Sequence, residues 1–451
     1  MAATSPPLTS ASGSQSASGV AVWRGFDWPL LLIVLLISLW GCLTVTSATV
    51  ARDEAMSARA SAALSTGSSF TPDSTDITTR GSRSGDEASE GFSKFLRGDA
   101  AKQAMWIVLG LLVLFFLASL DFQWLMYMQG WLYAANVSFL ILVLLIGREV
   151  NGAKSWIRLG PFALQPAEFS KFLILVTLAA WLCRRQDKIR ELSTVIFSLV
   201  YIAPLLLLVL KQPDFGTMLA ILAIWFGMLF FSGARLRHLG LVVGCGLLLF
   251  TFAWKAGEWI PPKSVSSSKP SLPAMILKAI TLKPHQKERL AVFLDPNPST
   301  RSARSAAYQI TQSQIAIGAG QITGQGWGQG MQKRGGWVPE NNTDFIFTVV
   351  AEELGFAGAA LLIALYLALL FRTTWIATAT DNYFGALIAG GFTALIAFHA
   401  IINLGMTMRV MPITGVPLPF FSYGGSSYLA FAACVGLLQS VVVRQRKTQS
   451  W

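Results

Sequence analysis

Charged residues are scarce in this 451-residue sequence: Asp, Glu, Lys and Arg make up 13% of it, whereas hydrophobic residues make up 53%. A soluble domain carries roughly a quarter charged residues, so this composition excludes an ordinary soluble globular protein. Cysteine is also rare. We interpret the cysteines as packing residues and predict no disulfide framework in the loops, because all of them lie in or beside apolar stretches: Cys42, Cys183, Cys245 and Cys434.

The apolar residues occur in blocks long enough to cross a bilayer, which takes roughly 20 residues per helix. Ten such blocks cover about 28–50, 103–120, 126–146, 167–182, 195–210, 218–231, 239–254, 345–371, 384–404 and 427–443. The first is too long for a simple signal peptide. The predicted fold class is therefore an all-α polytopic membrane protein with about ten transmembrane helices and a large extracytoplasmic loop before the eighth.

Lys and Arg cluster at the ends of the even-numbered blocks. Examples are Arg184 and Arg185 after the fourth, Arg235 after the sixth, Arg372 after the eighth and Arg444 after the tenth. Cytoplasmic loops carry the excess of positive residues, so both termini are predicted to be cytoplasmic. The net charge of +12 is then a signal of topology and of contact with anionic lipid, and nucleic acid is not needed to explain it.

The chain divides into a tail and one membrane domain. Residues 1–22 are rich in Ser, Ala, Gly and Pro and are predicted to be a disordered cytoplasmic tail, and residues 23–447 form the membrane domain. Within it, residues 51–101 are predicted to be a mobile outward insertion. The outward loop 257–344 mixes isoleucines with Gln, Ser and many glycines, which indicates short interfacial helices joined by tight turns.

Ionisable residues at the mouths of the apolar blocks are candidate site residues, because charge is costly within a membrane. Glu168 and Lys171 are three residues apart near the start of the fourth helix and share a face, so they are predicted to pair. A structural ion pair at a helix end explains them equally well. Lys154 and Arg158 flank an aromatic anchor, and their cations suit either a lipid phosphate or ordinary headgroup contact.

Further polar groups precede the sixth, eighth and tenth helices. Asp214 lies where a carboxylate caps a helix, and Asp344 opens the eighth helix in the same way, with Glu352 and Glu353 about two turns further in. The segment 422–427, Ser-Tyr-Gly-Gly-Ser-Ser, is a turn at membrane depth, where irregular backbone is tolerated only inside protein or along a cavity. These groups all fall on the predicted outer side, so we expect an outward polar cavity beneath the large loop.

The ordered motifs resemble those of the RodA/FtsW (SEDS) family. The resemblance is carried by five segments, 152–171, 212–217, 308–320, 338–358 and 411–427, and by the layout of ten helices. Within the family, the segments 412–419 (Pro-Ile-Thr-Gly-Val-Pro-Leu-Pro) and 351–355 (Ala-Glu-Glu-Leu-Gly) look more like RodA, which acts in elongation, than FtsW, which acts in division.

The resemblance implies a peptidoglycan glycosyltransferase that polymerises lipid II into glycan strands outside the bacterial cytoplasmic membrane. The donor sugar leaves as a lipid diphosphate, which departs without a strong acid if cations hold it, and a magnesium or manganese ion is one candidate. The acceptor hydroxyl needs a base. One carboxylate together with a cationic patch is therefore enough for this reaction, whereas a typical glycosidase uses a pair of carboxylates. The resemblance also implies a partner, a class B penicillin-binding protein with transpeptidase activity.

The sequence departs from the family where the catalytic Asp is expected. Relatives of this type show two Asp-Pro pairs in the large loop, and the second carries the catalytic Asp. This chain has Asp295-Pro296 and then a Ser- and Arg-rich run, 297–305, without a carboxylate. We predict Asp295 as the catalytic base. The predicted substrate-binding residues are Lys154, Arg158, Gln165, Glu168, Lys171, Asp214, Asp344, Ser422 and Ser426.

Two other functions fit the same residues. A lipid II flippase would use a membrane cavity open alternately to both sides. A non-catalytic scaffold that activates a class B penicillin-binding protein would not need the missing second Asp. A large structured loop over an outward site favours the polymerase over the flippase.

Overall fold

The computed structural model describes residues 25–65, 98–150, 153–159, 162–259, 292–293, 301–338 and 340–448. Three predictions therefore fall largely or wholly outside the described residues: the disordered tail at 1–22, most of the insertion at 51–101 and the catalytic Asp295. The insertion is described at its start, where the first helix runs on to Ser65, and at its end from residue 98.

Thirteen α-helices are bounded in the described residues, and we number them α1 to α13 in chain order. They are Trp28–Ser65, Asp99–Ser119, Phe122–Tyr127, Gln129–Ile146, Pro166–Cys183, Leu192–Lys211, Phe215–Phe231, Leu236–Trp259, Arg301–Ala319, Met331–Arg334, Ile346–Ala379, Tyr383–Thr407 and Gly425–Thr448. A 3₁₀ turn, Gln186–Lys188, separates α5 from α6. The prediction of an all-α polytopic membrane protein is confirmed.

Eight described helices are long and apolar enough to cross a membrane: α1, α2, α4, α5, α6, α11, α12 and α13. Two shorter apolar helices, Phe215–Phe231 and Leu236–Leu249, lie where the sequence predicts the sixth and seventh crossings. A span shorter than the bilayer core is accommodated by local thinning or by packing against neighbours. The helices therefore match all ten predicted blocks in position, while eight of them meet the full length expected of a span.

A small antiparallel sheet is the departure from the predicted all-α fold. Its strands are β1 Arg148–Val150, β2 Ala153–Leu159 and β3 Phe162–Leu164, in the order β1-β2-β3. The segment 154–158, with the predicted phosphate contacts Lys154 and Arg158, lies within the middle strand, β2. β-Branched and aromatic residues favour extended backbone, and antiparallel pairing lets the strands of this short stretch between α4 and α5 satisfy one another's hydrogen bonds.

The core of the molecule lies where α5, α7, α12 and α13 meet. Most residues of α5 and α13 are buried, and α12 packs closely on α7. Small residues permit this approach: a Cβ added to Gly391 of α12 would lie 2.5 Å from the Met228 methyl carbon of α7. Helices that pack closely in a membrane commonly use small residues in this way. The polar side chains at the ends of these helices are thereby fixed around a common space.

Helix α11 is broken near its start. Gly355 has φ 63° and ψ −159°, a conformation that side-chain-bearing residues rarely adopt. At the break, residues of the large loop pair with the helix backbone: Gln325 N–H donates to the Glu352 carbonyl (3.0 Å) and Phe356 N–H donates to the Gln321 carbonyl (2.8 Å). The described part of the loop is therefore held against α11, which supports the prediction of structured helices and turns there.

Candidate functional site

A cavity of about 570 Å³ opens where α5, α7, α11 and α13 begin, beside the middle of α12. Ser155 and Trp156 of β2 and Gln309 of α9 complete its wall. Six of the predicted site residues line this one cavity: Gln165, Glu168, Lys171, Asp214, Asp344 and Ser426. The polar cavity expected beneath the large loop is therefore present, and it brings together predicted site residues as distant in sequence as Gln165 and Ser426, which are 261 positions apart.

Glu168 and Lys171 form the predicted ion pair. Lys171 Nζ lies 2.7 Å from Glu168 Oε2, and the two side chains are only 2% and 8% exposed. Helix α5 begins at Pro166, whose missing N–H costs nothing at that position, so both charges fall within the first two turns and share one face. A pair buried this deeply persists because each charge neutralises the other, and removing either leaves an uncompensated charge.

Asp214 both caps α7 and faces the cavity. Its carboxylate accepts hydrogen bonds from the Thr217 backbone N–H (2.9 Å) and hydroxyl (2.8 Å), which confirms the predicted cap. It also accepts one from the Gln165 amide (2.9 Å) across the cavity. Burial raises the pKa of the Asp214 carboxyl against the opposing effect of the Thr217 hydrogen bonds. Asp214 thus links α5 and α7 on the cavity wall.

The turn before α13 places Ser422 and Ser426 differently. The Ser426 hydroxyl lies on the cavity wall and accepts a hydrogen bond from the Gln165 backbone N–H (3.0 Å). The Ser422 hydroxyl is turned into the protein, where it accepts from the Leu418 N–H (2.9 Å) and donates to the Thr343 carbonyl (2.7 Å). Ser422 therefore fixes the irregular segment, and it does not line the described cavity.

Lys154 and Arg158 lie beside the cavity and outside its lining. Both are exposed on β2, while Ser155 and Trp156 between them line the cavity. An exposed lysine or arginine has a long flexible stem, so it reaches groups that the strand backbone does not. Their contact with a lipid phosphate stays a prediction.

The prediction that Asp344 caps the eighth apolar helix is wrong. Helix α11 begins at Ile346, and its N-cap is Phe345, which provides no side-chain cap. Asp344 is held one residue earlier, where its carbonyl accepts from the Asn403 amide (2.8 Å) of α12, and it lines the cavity. The turn 340–345 precedes the helix and displaces the carboxylate from the capping position.

Glu352 and Glu353 belong to a second buried cluster outside the described cavity lining. Lys333 of the short helix α10 forms an ion pair with Glu353, and its Nζ also donates to the Ser47 hydroxyl of α1 (2.7 Å). Glu352 accepts from the Gln332 backbone N–H (2.7 Å). These carboxylates fasten the large loop to α11 and α1, which explains why they lie deeper than a helix cap.

Two cavity residues had no signal in the sequence. His399 lies in the middle of α12, surrounded by apolar residues, and is 1% exposed. Gln309 lies on the amphipathic helix α9 among other polar residues. A lone histidine in an apolar helix and one glutamine among several do not point to a site, so only the folded structure identifies them.

The cavity residues do not form a metal centre by themselves. No group of three or more His, Cys, Asp or Glu side chains with metal-ligand spacing occurs in the described part of the chain. Magnesium commonly keeps water ligands and takes only one or two carboxylates together with substrate phosphates, so the magnesium or manganese ion stays a prediction, and the chemistry below is derived from the side chains of the chain alone.

Comparison with known proteins identifies the family. The model of the FtsW/RodA/SpoVE family, described as cell cycle protein, matches residues 87–447, well over half of the chain. This chain belongs to that family. Its curated relatives include a peptidoglycan glycosyltransferase RodA of Treponema pallidum, 32% identical, with 76% of this chain and 89% of the relative covered. A probable peptidoglycan glycosyltransferase FtsW of Allochromatium vinosum is 36% identical, with 71% and 74% covered.

Solved structures agree with the assignment to the FtsW/RodA/SpoVE family. A chain described under structural coordination of polymerization and crosslinking by a peptidoglycan synthase complex is 28% identical, with a TM-score of 0.65 over 94% of this chain and 99% of that one. The rod shape determining protein RodA of Thermus thermophilus gives a TM-score of 0.56 at 25% identity, over 94% and 98% of the two chains. The resemblance to RodA/FtsW inferred from the motifs is confirmed.

Proposed function

We propose that the cavity lined by Glu168, Lys171 and Asp214 is where this protein, a peptidoglycan glycosyltransferase of the FtsW/RodA/SpoVE family, polymerises lipid II into glycan strands. The observation that supports this most is the buried Glu168–Lys171 pair, which places a fixed ammonium on the wall of a large polar cavity at the ends of membrane helices.

The reaction needs a cationic region for the leaving group and a base for the acceptor. The acceptor hydroxyl oxygen attacks the anomeric carbon of the donor sugar, the bond from that carbon to the lipid diphosphate breaks, and the hydroxyl proton passes to the base. The described lining contains one lysine, Lys171, and four carboxylates, which are Glu168, Asp214, Glu340 and Asp344. The exposed cations beside the cavity, Lys154 and Arg158, are therefore the proposed additional contacts for the diphosphate.

Asp295 remains the proposed base. Val292 belongs to a buried cluster with Ile310, Phe345 and Ile413, and the last two line the cavity. Three residues of fully extended chain span at most about 11 Å, so Asp295 is tethered within that distance of Val292. The closeness of Asp295 to Val292 in the chain supports its proposed role at the cavity.

Other cavity groups are less suited to accept the proton. Burial, together with the nearby Asp99 carboxylate, raises the pKa of the Tyr423 phenol to about 12, so Tyr423 is a neutral donor at physiological pH. Asp214 already accepts three hydrogen bonds from Thr217 and Gln165. Asp344 and Glu340 are the alternatives that the experiment below separates from Asp295.

The cellular setting follows from the proposed reaction. We place the protein in the bacterial cytoplasmic membrane as a multi-pass protein with the cavity outward, acting in cell-wall elongation. A structural neighbour belongs to a synthase complex that couples polymerization and crosslinking. The proposed partner is accordingly a class B penicillin-binding protein, whose transpeptidase crosslinks the new strands.

The test is polymerisation of purified lipid II by the reconstituted protein, with and without the transpeptidase. Asp295→Asn keeps size and removes basicity, so glycan formation should fall on the order of 10²–10⁴-fold. The matched control is Asp381→Asn, an exposed carboxylate just beyond the opposite end of α11, which should polymerise normally.

The outcomes separate the competing functions. Near-normal activity of Asp295→Asn removes it as the base and transfers the assignment to Asp344 or Glu340. A wild-type protein that never forms glycan overturns the polymerase proposal. Translocation of labelled lipid II across vesicles would then indicate a flippase, and stimulation of the transpeptidase alone would indicate a scaffold.

A further inference from the structure

His399 makes two hydrogen bonds that fix which of its ring nitrogens carries the proton. Nδ1 lies 2.9 Å from the Pro417 carbonyl oxygen, which only accepts, so Nδ1 carries the hydrogen. Nε2 lies 3.4 Å from Lys171 Nζ, which only donates, so Nε2 presents its lone pair. Both partners therefore require the same neutral tautomer, and the two assignments are independent of each other.

The Lys171 ammonium lies between two polar neighbours. Its Nζ is 2.7 Å from Glu168 Oε2, with which it forms the ion pair, and 3.4 Å from His399 Nε2. The ammonium also lies 5.3 Å from the centroid of the Phe431 ring, and the His399 ring packs edge-on against that same ring at 5.0 Å. Without His399 the ammonium would lose its only described contact with α12 and with the irregular segment beyond it.

We propose that His399 is a positioning residue that holds the Lys171 ammonium against the cavity-lining segment 413–417, so that the ammonium meets an anionic phosphate ligand at a fixed point. His399 bridges α5, through Lys171, to the Pro417 carbonyl, and all three residues line the cavity. This inference rests on the proposed function for the nature of the ligand, a lipid diphosphate. Fixed positioning matters because a misplaced cation contributes much less to binding a phosphate.

Asn403 supplies a matched comparison one helical turn further along α12. Its amide donates to the Val416 carbonyl (2.7 Å) and to the Asp344 carbonyl (2.8 Å). Asn403 therefore holds the same irregular segment as His399 does, and the structure shows no hydrogen bond between it and Lys171 among the described contacts. A variant of Asn403 separates loss of the segment's anchoring from loss of the lysine's position.

The experiment measures the dissociation constant for undecaprenyl diphosphate in detergent, in wild-type and Lys171→Met backgrounds. His399→Phe keeps an aromatic ring and removes both hydrogen bonds, so binding should weaken at least tenfold. His399→Gln should stay within about threefold of wild type, because its amide oxygen accepts from Lys171 while its amide N–H donates to Pro417. His238→Gln, outside the cavity on α8, controls for loss of an imidazole.

The double-variant cycle decides between positioning and a purely structural role. If His399 acts through Lys171, His399→Phe has little further effect once Lys171→Met is present, whereas Asn403→Leu weakens binding equally in both backgrounds. An undiminished His399→Phe effect in Lys171→Met, or failure of His399→Gln to preserve binding, overturns the inference. Undecaprenyl diphosphate binding is measured separately from glycan formation. A protein that binds undecaprenyl diphosphate normally and forms no glycan would therefore refute the proposed polymerase activity and leave the inference about His399 standing.

Discussion

At the scale of residues, breaking the Glu168–Lys171 ion pair should cost more stability than replacing both of its members. Lys171→Met leaves the Glu168 carboxylate buried without its cation, which should cost about 3–5 kcal/mol of stability. The double variant Glu168→Gln, Lys171→Met buries no unpaired charge and should lose less than Lys171→Met alone. Thermal unfolding in detergent measures both. A double variant that unfolds at a lower temperature than the single variant would show that the pair is not the source of the loss.

Asp214 predicts a pH dependence whose sign follows from its raised pKa. The folded state binds the proton more tightly than the unfolded chain does, where an Asp titrates at about 3.9. The stability contributed by protonated Asp214 is thus complete below that pH and is lost as the pH rises through the higher folded-state pKa. The unfolding temperature of wild type, relative to Asp214→Asn, should fall as pH increases upward from about 4. A difference that stays constant from pH 4 to 7 would contradict the assignment.

The sequence identifies some site residues and misses others for a physical reason. Glu168, Lys171 and Asp214 are conspicuous because charges at the edges of apolar blocks need an explanation, and all of them line the cavity. His399 is inconspicuous because its polarity is satisfied by partners 228 positions back and 18 positions ahead in the chain. Spacing within one helix reveals neither partner.

At the scale of elements, long apolar runs predict helices well, while features set by contacts between distant segments escape prediction. The sheet at 148–164 and the break in α11 are two such features. The break depends on loop residues 320–326, which pair with the backbone on both sides of Gly355. The sequence of residues 346–379 alone predicts one continuous apolar helix, because only a single glycine marks the position of the break.

Gly355→Ala should destabilise the protein by at least about 2 kcal/mol. A side chain at φ 63° is strained by 1–3 kcal/mol, roughly, and an added Cβ would lie 2.6 Å from the Ile322 carbonyl oxygen. Gly130→Ala in α4 is the control, since nothing lies within 4 Å of its added Cβ. Unfolding temperatures of the two variants in the same detergent compare them. Equal stability of both would mean that the loop does not depend on the break.

At the scale of the whole molecule, the two ends of the helix bundle carry different polar groups. Side chains of the cavity and the loop cluster gather at one end of the helices, whereas Arg184, Arg185 and Lys188 are exposed at the other end of α5. Arg372 pairs with the buried Asp27 at the corresponding ends of α11 and α1 (2.8 Å). The arrangement matches the Lys and Arg bias from which we predict that the cavity faces outward.

Accessibility to a membrane-impermeant maleimide tests this orientation in a cysteine-free background. Ser84→Cys, in the predicted outward insertion, should react in intact spheroplasts. Ser193→Cys, exposed in the first turn of α6 beside the basic cluster, should react only after permeabilisation, because anionic lipid and the positive-inside bias hold that end of α6 in the cytoplasm. A cytoplasmic marker protein verifies that the spheroplasts are sealed. The reverse labelling pattern would place the cavity on the cytoplasmic side, where lipid II polymerisation outside the membrane would be excluded.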